Sequence, residues 1–128
     1  MSRPSSRRRA VAALLALAAV TTIPAAAHHS YVTKYDSAKL IKLTGTVGSV
    51  SYQNPHIFFA FDAAGTAWTV ETESISVARA NGLTEAVLKE GAKATLTGWP
   101  SREKSAELGL STITFDGRAT ISMRRTAR

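Results

Sequence analysis

The chain has 128 residues, room for one ordinary domain and not two, and it contains no cysteine, which excludes a disulfide and a cysteine-borne lipid anchor. Its formal net charge of +7 belongs to its two ends: Arg3, Arg7, Arg8 and Arg9 stand at the start and Arg124, Arg125 and Arg128 at the finish, while His28 to Met123 holds nine basic and nine acidic residues. That balance argues against nucleic acid as a partner, because such a protein carries its basic stripe on the folded domain.

In chain order, the basic opening is followed by an apolar run of 11 residues, Ala10 to Val20, and then by Pro24-Ala25-Ala26-Ala27. A basic region, a short apolar region and a small-residue site form a secretory signal peptide, residues 1–27. The run is too short to span a bilayer as a permanent helix. Ser6-Arg7-Arg8 leaves twin-arginine and general export both open. Cleavage near Ala27 gives a periplasmic or secreted product with no stable membrane anchor, expected to be a monomer.

Residues 28–39 read as an N-terminal arm whose only large side chains are Tyr31 and Tyr35. The folded domain is expected over residues 40–123, and 124–128 form a basic, solvated tail. From Leu40, Ile41, Leu43, Gly45 and Val47 alternate with Lys42, Thr44 and Thr46, a period of two that predicts a strand with one buried face. Gly48 marks a bulge, and Asn54-Pro55 marks a bend, since the residue before proline is driven to extended geometry. His56 to Asp62 and Ala67 to Thr72 form a hairpin around Ala63-Ala64-Gly65-Thr66. Ser74 is a helix N-cap for Ile75 to Ala80, Asn81-Gly82 a stop, and Glu85 to Glu90 a second short helical turn. Lys93 to Gly98 is a strand, and Trp99 to Ser105 a polar loop. Leu108 to Phe115 and Arg118 to Met123 flank a two-residue Asp116-Gly117 turn.

Three strands, a small helical segment and two or three further strands predict an all-β fold with a short helix. The expected architecture is a small OB-like antiparallel barrel of five or six strands, with the helix between strands three and four; a β-sandwich is the alternative. Phe59, Phe61 and Trp68 are assigned to the core, and Trp99 beside Pro100 to an exposed contact.

No catalytic set emerges. There is no Gly-x-Ser-x-Gly elbow and no glycine-rich phosphate loop, and Glu71 and Glu73, two apart on one strand face, read as a wet face. The chain is therefore not expected to be an enzyme; copper-dependent oxidation would require a substrate surface rich in exposed aromatics.

The three histidines, His28, His29 and His56, are the candidate metal ligands. Cleavage after Ala27 makes His28 the first residue, which offers its α-amine and its ring Nδ1 as a chelating pair. One opposed imidazole, from His56, completes a T-shaped set of three nitrogens suited to Cu(II), which stands highest in the divalent affinity order for such ligands. Cleavage one residue earlier gives Ala27-His28-His29, with a histidine at position three, another copper trap. His29 is a reserve ligand, and Glu71, Tyr31 or Tyr35 is an axial partner or a group behind a ligand. The expected function is an exported module for copper capture or delivery. The alternative is a metal-free barrel that binds a small molecule or a periplasmic partner protein through its mouth and the Trp99 loop.

"AHHSY", "LTGTV", "NPH", "WTVE" and "GWPSR", in this order, resemble the domain of unknown function 6152 family of small exported bacterial proteins. The matching positions are His28, His29, Ser30, Asn54, Pro55, His56, Trp68, Glu71, Pro100 and Arg102. Tyr31 stands where the family usually has Phe, and Tyr52 where it often has Trp. The resemblance implies secretion and a compact β fold and supplies no activity.

Overall fold

The computed structural model describes residues 33–53 and 55–123. The expected signal peptide, residues 1–27, and His28, His29, Ser30, Tyr31, Asn54 and the arginine tail lie outside the described residues.

The predicted strand from Leu40 becomes β1, Ile41–Gln53, and it serves two neighbours. Its first half pairs antiparallel with β4, Lys93–Pro100, through Ile41↔Gly98 to Thr46↔Lys93. Its second half pairs antiparallel with β2, His56–Ala63. The register shifts between Val47 and Val50, where Gly48 stands, so the expected bulge is present and turns the strand from one partner to the other. At Gly45 the β2 backbone comes so close that a Cβ would collide with the Asp62 carbonyl oxygen.

β2 joins β3, Thr66–Ser74, through Ala64-Gly65. Both turn residues have positive φ, 50° and 81°, the conformation whose twist matches that of a two-residue hairpin. The turn is thus tighter than the four residues expected. Along β2, Ile57, Phe59, Phe61 and Ala63 are buried and alternate with more exposed residues, as a period of two requires. Phe59 and Phe61 meet edge to face, with centroids 6.4 Å apart.

The helix α1, Ile75–Ala80, starts where Ser74 accepts a hydrogen bond from the Val77 amide and stops at Asn81, whose side chain donates to the Val77 carbonyl at 2.8 Å. The second expected helix is only a turn, in which the Leu88 amide donates to the Thr84 carbonyl at 2.9 Å before Gly91 takes positive φ. Ala78, Leu83 and Leu88 nonetheless join the core.

β4 pairs antiparallel with β5, Glu107–Phe115, which pairs with β6, Ile121–Ser122. β6 is shorter than expected. Thr112 faces Ser122 and Ile113 faces Ile121, so the link runs from Asp116 to Thr120 and exceeds a two-residue turn. Trp99 lies in β4 opposite Gly109, half-buried, and not in a loop. Trp68, three residues beyond the hairpin turn, is also only partly buried and packs against the core cluster.

The order is β3-β2-β1-β4-β5-β6, and a parallel pairing of β3 with β5 closes the first five strands into a barrel. With α1 between β3 and β4, this is the OB-like barrel that the sequence predicts. Val47, Ile57, Phe61, Val70, Leu96, Leu108 and Ile113 fill it. Among the described residues no helix is long and apolar enough to cross a membrane.

Candidate functional site

Outside the barrel, at the seam where β3 meets β5, lies a buried polar cluster. On β3, Trp68, Val70 and Thr72 share the inward face, so Glu71 points outward by alternation. An outward glutamate on a strand is normally wet, yet Glu71 is only 7% exposed. The parallel pairing explains this. Thr69 faces Glu107 and Glu71 faces Gly109, which brings a second outward carboxylate beside the first; Glu107 is 6% exposed. Gly109 adds no side chain between them.

The arm covers the pair. The Asp36 amide donates to the Pro100 carbonyl at 2.9 Å, the Arg102 amide donates to the Lys34 carbonyl at 2.8 Å, and Tyr35 bridges to Ser101. Tyr35 is thereby laid against the barrel and is 2% exposed. Its hydroxyl donates to Glu71 Oε2 in a short hydrogen bond and lies 3.2 Å from Glu107 Oε1. Lys34 Nζ sits between the same carboxylates, 2.9 Å from Glu71 Oε2 and 2.5 Å from Glu107 Oε1. Its ammonium also stands 5.2 Å from the Tyr35 ring centroid and 5.8 Å from that of Phe58. Lys104 approaches Glu107 Oε2 at 3.8 Å from the exposed side.

His56 reaches the other oxygen of Glu71. It opens β2, opposite Ser74, and it shares the outward face with Phe58, which lies opposite Glu71. A register shift between His56 and Phe58 gives β3 the extra residue at this point. Around it, the Ile75 amide donates to the Pro55 carbonyl at 3.1 Å. His56 is therefore a diagonal neighbour of Glu71, and its Nδ1 is 2.8 Å from Glu71 Oε1.

Burial pushes the Glu71 carboxyl up, but hydrogen bonds from Tyr35, Lys34 and His56, with the Lys34 charge, outweigh it and hold the group below its ordinary value. Burial likewise pushes Lys34 down, and the hydrogen bonds to Glu107 and Glu71 reverse this and raise it. Glu71 is thus an acceptor-only carboxylate. In its neutral form the His56 ring must donate to it from Nδ1, which places the ring lone pair on Nε2.

Of the sequence-derived candidates, His56, Glu71 and Tyr35 are brought together, while His28, His29 and Tyr31 lie outside the described residues. Glu71 is not on a wet face, a correction that follows from the β3–β5 closure and the arm above it. Arg102 reaches Asp36 at 3.4 Å, on the arm side of the same contact. Lys34 and Glu107 were not singled out by sequence. Glu107 has no motif around it, and Lys34 looks like any solvated lysine. Among the described residues no group of three or more histidine, cysteine, aspartate or glutamate side chains is placed to hold a metal ion.

Comparison with known proteins finds that the family model of DUF6152, described as a family of unknown function, matches residues 15–111. No curated protein matches the chain. Among solved structures, TiaS in complex with a transfer RNA, AMPCPP and agmatine is similar at 17% identity and a TM-score of 0.48, over 70% of this chain and 22% of that chain. The chain thus spans less than a quarter of the TiaS chain. Rim1, a mitochondrial single-stranded DNA-binding protein from S. cerevisiae, is similar at 14% identity and a TM-score of 0.46, over 63% of this chain and 97% of that one.

Proposed function

We propose a copper-binding role for this chain, which belongs to DUF6152, a family of unknown function. In this reading, export removes residues 1–27 and the mature chain begins at His28. The His28 α-amine and ring then join the His56 ring around Cu(II), and His29 stands in reserve. The product is a periplasmic or secreted module for metal capture or delivery, without enzymatic turnover.

The observation that carries the reading is the 2.8 Å contact between His56 Nδ1 and Glu71 Oε1. A metal-binding imidazole characteristically hands its other nitrogen to a carboxylate, which fixes the tautomer, orients the ring and makes the ligating nitrogen more basic. Glu71 is in turn held by Tyr35 and Lys34, so the ring has a rigid support. The Glu71 oxygens accept from cationic and hydroxyl donors, so this reading takes nitrogen as the ligand type. Nitrogen ligands favour copper over calcium or magnesium, which take oxygen. Since the described residues hold no complete ligand set, the remaining donors in this reading come from the arm.

The test is a Cu(II) titration of the exported protein, with its N-terminus defined by mass spectrometry. One-to-one binding at least ~10-fold tighter than a His-His-Ser peptide is expected. It should be lost in His28→Ala and His56→Ala and weakened ~10- to 100-fold in Glu71→Gln. Affinity equal to that of the peptide would refute the reading.

A further inference from the structure

Of the nine basic residues between His28 and Met123, five stand within ion-pair distance of a carboxylate: Lys34, Lys39, Arg79, Arg102 and Lys104. Lys42, Lys89, Lys93 and Arg118 make no such pair among the described residues. Three of these four, Lys89, Lys93 and Arg118, line one open cleft of about 430 Å³ at the end of the barrel where β4 begins. The cleft has an apolar lining as well, from Val87, Ala92 and Phe115, and Phe115 is buried. Asp116 is the one acidic residue on its lining among the described residues, so positive charge is in excess.

Both walls are fastened to the barrel. The first is the segment from Thr84 to Ala92. Leu88 is buried in the core, and its carbonyl accepts from the Tyr52 hydroxyl at 3.1 Å. The Gly91 amide donates to the Val47 carbonyl at 2.7 Å, and the Val47 amide donates to the Ala92 carbonyl at 2.9 Å. The second wall is the turn that leaves β5. There the Asp116 amide donates to the Lys93 carbonyl at 3.4 Å and the Arg118 amide to the Phe115 carbonyl at 3.0 Å. Phe115 lies opposite Ala94, beside Lys93. The three cations are thus gathered by two turns that meet at one barrel end, and no run of basic sequence announces them.

We propose that this cleft is a binding site for a small organic dianion, a doubly charged oxyanion head on a short apolar body. Cations held near one another without counter-ions repel, and a dianion relieves that repulsion while bonding to each. The Arg118 guanidinium offers a planar fork to two oxygens of such a head, and the lysines offer point charges. Water screens exposed charges, so they bind an anion only weakly by themselves; the lining of Val87, Ala92 and Phe115 adds apolar burial. The volume falls in the range of small-molecule sites. A nucleic acid would call for a basic stripe along the fold, and three cations at one end do not make one. The inference is independent of the copper reading, since none of these residues is a candidate metal ligand, and failure of either leaves the other standing.

The test is a titration of the full exported protein, without added metal, with three probes: phenyl phosphate, inorganic phosphate and benzyl alcohol. Binding is followed by the amide resonances of Ala92 and Phe115. Phenyl phosphate is expected to bind with a Kd at or below ~1 mM, and about 10-fold tighter than either of the other two. Lys93→Gln and Arg118→Gln should each weaken it ~3- to 10-fold. Lys42→Gln removes an unpaired cation outside the cleft and should leave the affinity unchanged, whereas Asp116→Asn should tighten binding ~2-fold or more. All four side chains belong to exposed residues, and circular dichroism checks that the variants fold.

The proposal is overturned if Ala92 and Phe115 do not respond, or if inorganic phosphate binds as tightly as phenyl phosphate. Equal weakening by Lys42→Gln also overturns it, because the effect would then be one of net charge. Weaker binding in Asp116→Asn does the same, since the carboxylate would be holding the probe and not opposing it. A single-stranded oligonucleotide that displaces phenyl phosphate at a lower concentration would assign the cleft to a polyanion and overturn the small-molecule site.

Discussion

Burying a carboxylate costs free energy unless donors replace the water it loses, and Glu71 receives donors from Tyr35, Lys34 and His56. Replacing it by glutamine keeps the shape and removes the charge that makes these bonds strong. Glu71→Gln is expected to lower stability by about 2 kcal/mol at neutral pH, measured by urea unfolding. The pH dependence has a definite sign. The folded carboxyl lies below its unfolded value, so its contribution is complete above about pH 5 and is lost as pH falls through the unfolded and then the folded value. The wild type should therefore lose stability between about pH 5 and pH 3 more steeply than Glu71→Gln; parallel curves would mean that Glu71 is not the group being protonated. This residue also marks a limit of reading alternation alone. A period of two places Glu71 on the outward face correctly, but whether that face is wet depends on what lies over it.

At the scale of the element, β1 is a single strand doing duty in two pairings, and its glycines allow it. Gly48 sits at the register shift, a position visible in sequence as a glycine inside an alternating run. Gly45 is needed for a different reason, the close passage of the Asp62 carbonyl. Gly45→Ala is expected to cost at least ~2 kcal/mol, since the clash is with backbone and cannot be relieved by a side-chain rotation. Thermal unfolding of the two single variants separates the roles: Gly48→Ala, whose Cβ would meet the Ala60 side chain at 3.0 Å, should lose clearly less. Equal losses would show that strand propensity and not close approach sets the requirement. The capped helix α1 was legible because its signals are local: Ser74 accepts from the amide three residues on, and Asn81-Gly82 ends it. The two-residue β6 was not, because the pattern of Arg118 to Met123 does not show how many of its residues find partners on β5.

At the scale of the whole molecule, the β3–β5 pairing decides both closure and site. It brings Glu107 beside Glu71 and makes a seam for Tyr35 to cover. A chain beginning at Leu40 would leave two carboxylates near each other without Lys34 and Tyr35 above them. Such a truncation is expected to fold less stably by at least ~2 kcal/mol, read from the urea midpoint, because Glu71 loses the donors of Tyr35 and Lys34. An unchanged midpoint would show that residues 33–39 contribute nothing to the fold.

What the sequence determined by itself was everything set by near neighbours: the strands from their period of two, the helix from its cap and stop, the bulge at Gly48 and the inward Phe59 and Phe61. These follow from backbone geometry repeating every few residues, so they are written locally. The strand count and the place of the helix then narrowed the architecture to a small barrel. Only the tertiary structure decided that Tyr35, Glu71 and Glu107 meet, because those contacts join residues 36 and 72 positions apart and no local pattern encodes them. The same holds for Trp99, whose place in β4 depends on the partner strand that Gly109 supplies. Closing a sheet on itself is a long-range event, and the polar cluster that it creates exists only once the seam is shut.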